Sequence, residues 1–124
     1  MNSDEFLRVL RQVALDAAVE GTMEVLRAPP GRRPRPELVR ASEWFTNLPD
    51  ESRKMVREIA RMSAHSAVFG FLCVIDGVRQ VENFSSDWHF ELLFARGDEK
   101  HLLNPPDGEF LHDILNGQLD DTKP

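Results

Sequence analysis

The chain of 124 residues predicts a predominantly helical α+β fold. We expect a single domain over residues 1–117, with three longer helices, a short C-terminal helix and one β-hairpin. Three observations carry that prediction. Apolar residues before residue 76 recur at intervals of three and four, the period of an amphipathic helix. Trp88, Phe90, Leu92 and Phe94 alternate with His89, Glu91, Leu93 and Ala95, the period of a strand. Proline falls between these segments or at their first position, where a missing N–H does no harm. With 41% hydrophobic residues, a chain of this length can bury one core but has no room for a second domain.

Ser3 is placed to cap a first helix, with Asp4 and Glu5 in the opening turn and Phe6, Val9, Leu10, Val13 and Ala17 on one face. Beyond Ala14 the apolar residues move to the other side, at Leu15, Val19, Met23 and Leu26, which predicts a bend at Gly21. Residues 27–36 hold four prolines and Gly31 and read as an exposed Pro/Arg-rich connector. Pro36 opens a second helix to about Asn47, whose stripe is Leu38, Ala41, Phe45 and Leu48 with Trp44 beside it. Pro49, Asp50 and Glu51 then start the central helix, which Gly77 closes after Asp76.

In the first half of the central helix, Met55, Val56, Ile59, Met62, Ser63, Ser66, Ala67 and Gly70 form the expected buried face. Arg53, Lys54, Arg57, Glu58 and Arg61 lie opposite. From residue 67 to 75 the polar positions vanish, which predicts a segment enclosed on nearly every side. A hairpin competes over residues 71–82, with Asp76-Gly77 as its turn. Val78 and Val81 are three apart, which breaks strand alternation and favours the helix.

Residues 83–87 read as a loop and 88–95 as a strand. Arg96 to Lys100 supplies the turn, and His101-Leu102-Leu103 returns. With two or four loop residues alike, parity puts Leu102 on the Leu93 face and Leu103 on the Phe94 face, so both faces are partly apolar. Asn104-Pro105-Pro106 ends the pairing. Phe110, Leu111, Ile114 and Leu115 form the buried side of a last helix that Asn116-Gly117 stops, leaving residues 118–124 as a flexible tail.

Cys73 is the only cysteine; it cannot form an intrachain disulfide, and its apolar neighbours mark it as structural. The N-terminus is acidic and lacks a signal-peptide pattern, and the apolar run of residues 67–75 is far shorter than the ~20 residues of a membrane span. These features predict a cytoplasmic protein with no membrane segment.

The net charge of −6 is uneven. Residues 1–26 carry two basic groups against five acidic, residues 27–75 nine against five, and residues 76–124 four against eleven. The C-terminal part is therefore the acidic one. No nucleophile-elbow, P-loop or dinucleotide fingerprint occurs. His65, His89, His101 and His112 have neither metalloprotease spacing nor a cysteine pair, so we expect no metal or cofactor. Arg27, Arg32, Arg33, Arg35 and Arg40 form a basic cluster, but the acidity elsewhere and the absence of interleaved aromatics argue against nucleic acid.

Two constellations remain. Glu109, His112 and Asp113 could supply acid and base to a small enzyme or ligand-binding domain, although their helical spacing equally makes a solvated face. Trp88, with Asp87, Glu91, Asp98 and Glu99 around it and Leu93 on the adjoining strand, sets an aromatic anchor among carboxylates. That composition suits a basic partner, with burial of Trp88 in the core as the competing reading.

The stretches GFLCVIDGVRQVE and LLNPPDGEFLHDILNG, within residues 67–117, resemble small bacterial domains of unknown function; the resemblance implies no activity and no site residue. Size and acidity are similar to those of toxin-neutralising immunity proteins. The expectation is a non-catalytic interaction protein, immunity-like or an accessory subunit, which binds another protein or a second copy of itself through Trp88, Glu91, Leu93, Asp98 and Glu99.

Overall fold

The computed structural model describes residues 1–79 and 88–120. Among them are helices α1 (Ser3–Leu10), α2 (Ala17–Arg27), α3 (Pro36–Thr46), α4 (Asp50–Ile75) and α5 (Leu111–Asp120), and strands β1 (Leu93–Arg96) and β2 (Glu99–Leu102). A π-helical turn, Arg11–Asp16, joins α1 to α2. This is the predominantly helical α+β fold with one hairpin that the sequence predicts. The chain divides into two compact units, Met1–Gln12 with Ser66–Pro124, and Val13–His65.

In the first unit, α1 is capped by Asn2 rather than Ser3. The Asn2 side chain accepts from the Glu5 amide at 2.9 Å while Glu5 reaches back to the Asn2 amide, a reciprocal capping box. Ser3 is thereby released to donate its hydroxyl to the Leu103 carbonyl at 2.6 Å. Leu7, which the sequence periodicity left off the apolar face, is the fully buried residue of α1. It packs with Leu72 of α4 and with Leu111, Ile114 and Leu115 of α5, while Phe6, Leu10, Val68, Phe69, Ile75, Leu92 and Leu119 border that core. Val9 and Val13, expected on the buried face, are exposed.

The switch of apolar face expected after Ala14 is not seen, since Val9, Val13 and Ala17 are exposed while Leu7, Leu15, Val19 and Met23 are buried, and Gly21, the expected bend, lies inside the regular helix α2.

α4 ends as expected. Gly77 has φ 76°, its amide donates to the Val74 carbonyl and the Val78 amide to that of Cys73, a left-handed closure that glycine adopts without strain. The competing hairpin fails at its first strand, since residues 71–75 are helical; most of its second strand, and the loop of residues 83–87, lie outside the described residues.

The segment 67–75 is enclosed except along one stripe, Ala67 and Phe71. Leu72 is 1% exposed and Cys73 is buried, but Phe71 is 62% exposed. The other seven positions are buried or half-buried, so only the Phe71 side of the helix stays in solvent. α4 spans 26 residues with a window of mean hydropathy 1.3, so by length and composition it could cross a membrane, which the short apolar run did not suggest; core helices of soluble proteins meet the same criterion.

α5 runs through Gly117 instead of stopping there. Arg11 donates to the Gln118 carbonyl at 3.1 Å and the Gln118 side chain to the Asp4 carbonyl at 2.9 Å. Two tertiary bonds hold the last turn, so residues 118–120 are helix rather than tail.

The hairpin has a two-residue turn, Gly97-Asp98, with Gly97 at φ 60°. Leu93 pairs with Leu102 and Phe94 with His101, the expected parity. Regular strand begins only at Leu93, not Trp88, because Pro105 and Pro106 follow Asn104 in the returning chain and cannot donate to a ladder. Asn104 substitutes: its side chain accepts from the Leu92 amide at 2.7 Å and donates to the Phe90 carbonyl at 2.8 Å.

In the second unit, α2 packs on α3 with Val19, Met23, Ser42 and Phe45 buried, and the connector between them is irregular over residues 28–35. The expected buried face of α4 is largely exposed here, while Lys54, Glu58 and Arg61 are exposed as expected. Met55, Ile59, Met62, Ser63 and Ser66 are exposed, whereas Val56 and the opposite-face Arg53 and Arg57 are half-buried. Arginine stems are apolar. With Met23 and Phe45, Arg53 and Arg57 line a cleft of about 440 Å³, and the Arg57 guanidinium pairs with Glu20. The hydrogen bond from Arg57 holds the Glu20 carboxyl below its usual range.

The corrected core makes a prediction. Leu72→Ala should destabilise by about 2–5 kcal/mol through the cavity it leaves, whereas Phe71→Ala should change stability by less than about 1 kcal/mol. Urea unfolding of both variants checks it, and equal losses would contradict this packing.

Candidate functional site

The best-organised polar cluster forms where α4 ends and α5 begins. Gly77 turns the chain directly after Asp76, whose side chain is 2% exposed. Its Oδ1 accepts from the Leu111 amide at 3.1 Å, and its Oδ2 accepts from the His112 amide at 3.0 Å. The imidazole Nδ1 of His112 lies 2.7 Å from the same Oδ2, so the proton that bond needs sits on Nδ1. Asp76 therefore caps α5 from a distant point in the sequence, where a negative charge meets the unpaired amides and positive end of that helix.

His112 is held on its other sides as well. Phe110 stacks on its ring at 5.3 Å, Phe69 meets it edge-on at 5.4 Å, and Nε2 lies 3.4 Å from Asp113. A carboxylate that orients an imidazole is half of a general-base arrangement. Here, however, the second nitrogen faces another carboxylate, and the ring is only 12% exposed. Of the acid–base trio from the sequence, His112 and Asp113 come together. Glu109 instead lines an adjoining cleft of about 380 Å³ with Asp76, His89, Phe90, Asn104 and Phe110, a lining that includes neither His112 nor Asp113. Among the described residues no group of three His, Cys, Asp or Glu side chains could hold a metal ion.

The residues expected at a partner contact fall at the two ends of the hairpin. Trp88, Glu91 and Leu93 are exposed at its open end, where Trp88 meets Phe90 edge-to-face at 5.1 Å and His89 contacts Glu91 at 3.1 Å. Asp98 and Glu99 are exposed at the turn, with Glu99 opposite Arg96. Trp88 is thus not a core residue. Asp87 lies outside the described residues.

Sequence reasoning missed two residues that organise this region. Asp76 stood out only as a turn residue; a carboxylate at a helix C-terminus, where it is electrostatically disfavoured, was the signal that it serves another element. Asn104 stood out only as a breaker before two prolines.

The chain matches no protein-family model, no curated protein and no solved structure.

Asp76→Ala removes the cap of α5 and the partner of His112, and should destabilise by about 2–3 kcal/mol. Faster hydrogen exchange at the Leu111 and His112 amides should accompany the loss. Unchanged exchange there would show that α5 does not depend on Asp76.

Proposed function

We propose that this protein is a non-catalytic cytoplasmic interaction module, of the immunity-protein or accessory-subunit kind, that uses its acidic C-terminal part to bind a basic surface on another protein. One observation carries the reading: the open end of the hairpin leaves Trp88, Phe90 and Leu93 between 41% and 49% exposed. A two-stranded sheet also has two unpaired edges, onto which another chain can add. Glu91, Asp98 and Glu99 are exposed on the same hairpin and favour a partner of opposite charge.

The enzyme reading draws less support. General acid–base chemistry needs its groups at a cleft, and both ring nitrogens of His112 face carboxylates, those of Asp76 and Asp113, while the lining of the adjoining cleft includes Glu109 but not His112.

Sedimentation of the wild type and of Leu93→Lys, alone and with partner captured from the source organism, tests the proposal. Leu93 is 49% exposed, so the variant should keep its fold. Association should fall at least tenfold in the variant, and in the wild type it should weaken from low to high salt as exposed charges are screened. Unchanged association in both comparisons would reduce the hairpin to a structural lid.

A further inference from the structure

We propose that the cleft beside the hairpin is the anchor pocket of the interaction surface and takes an arginine side chain of the partner. The inference rests on the reading of the hairpin as a docking site and names the chemistry at its centre. The cleft, about 380 Å³, has walls formed by Phe90 and Phe110, both more than 40% exposed. Aromatic rings at a cleft attract a planar cation, and guanidinium stacks on them better than ammonium does; one face of Phe110 is already stacked on His112, which leaves its other face for a cation.

The carboxylates of the cleft add the charge. Glu109 is exposed and can receive a guanidinium fork through both oxygens. Asp76 is almost fully buried in the lining. An ionised carboxylate offers roughly four acceptor sites; Leu111, His112 and the His112 ring occupy three on Asp76, so capacity for one more donor remains. Among the described residues of the lining His89 is the only basic side chain, and Glu91 contacts it at 3.1 Å. The cleft thus combines negative charge with flat apolar walls, a pairing that neither an anion nor a neutral aliphatic group satisfies. Phe90 both lines the cleft and meets Trp88, so a side chain seated there is continuous with a contact across the open end of the hairpin.

The test uses the intact protein and N-acetyl-arginine amide as probe, with N-acetyl-norleucine amide as the uncharged control. Amide NMR shifts report binding. The expected result is a saturable shift centred on Asn104, Glu109, Phe110, Leu111 and His112 with the arginine probe, none with the control, and affinity reduced about tenfold or more in Glu109→Gln. Glu109 is exposed, so its substitution leaves the core intact; Arg96→Gln, at the turn end of the hairpin, should leave probe binding unchanged. No saturable shift at millimolar probe, or equal affinity in wild type and Glu109→Gln, overturns the anchor. If that happens while Leu93→Lys still abolishes association, the hairpin reading stands without the pocket. If Leu93→Lys also has no effect, both readings fall.

Discussion

The Asp76 carboxylate is the constraint on which the C-terminal half of the fold depends. It sits at the negative end of a 26-residue helix, where the aligned peptide dipoles disfavour it. The opposing contribution comes from α5, whose first amides and His112 ring are satisfied by the two oxygens of this one group. One residue therefore terminates one helix, starts another and fixes an imidazole. Burial makes the arrangement stringent, because a carboxylate withdrawn from water must have its partners in place. Once α5 is anchored there, Leu111, Ile114 and Leu115 face Leu7 and Leu72, and the core of that unit closes.

What was legible in the sequence follows from the range of the forces involved. Local signals were read correctly where backbone chemistry decides alone: Gly77 closing α4, Pro36 opening α3, the parity that pairs Leu93 with Leu102. Faces were misread where two surfaces were both plausible. Met55, Ile59 and Met62 look like a core stripe and Arg53 and Arg57 like a solvated one, yet arginine stems over Met23 and Phe45 cover apolar surface as well as many aliphatic groups do. The π turn escaped notice because a helical wheel assumes a constant period. α5 outran Gly117 because bonds from Arg11 and to Asp4 hold its end, and such partners far along the chain leave no local trace.

The candidate site was legible in part for the same reason. Its separate residues, Trp88, Leu93, Glu109 and His112, stood out by type. Their grouping did not, since Asp76 and Asn104 decide it and both act across more than ten residues of chain. Asn104 ties the Leu92 amide, the Phe90 carbonyl and the carbonyl of Ile75 together. Through those bonds the start of the hairpin is joined to the end of α4, and the cleft gains a fixed wall instead of a loose loop.

Exposed apolar residues occur in both units, and their presence alone does not identify a docking surface, since scattered ones are normal on any protein. Charge separates the two cases. The Met55, Ile59 and Met62 stripe of α4 has exposed Glu51, Lys54, Glu58 and Arg61 on the same helix, an even mixture that attracts no one sign of partner. At the hairpin the apolar positions Trp88, Phe90 and Leu93 share the open end with Glu91, the turn end carries Asp98 and Glu99 beside Arg96 and Lys100, and residues 76–124 as a whole carry eleven acidic groups against four basic. Mixed charge keeps a surface soluble, whereas an excess of one sign over a longer stretch also orients an approaching molecule. The α4 stripe has the apolar area of a contact without the means to choose what it contacts. The hairpin joins exposed apolar residues to an acidic stretch of sequence, and the docking surface proposed for this protein rests on that combination.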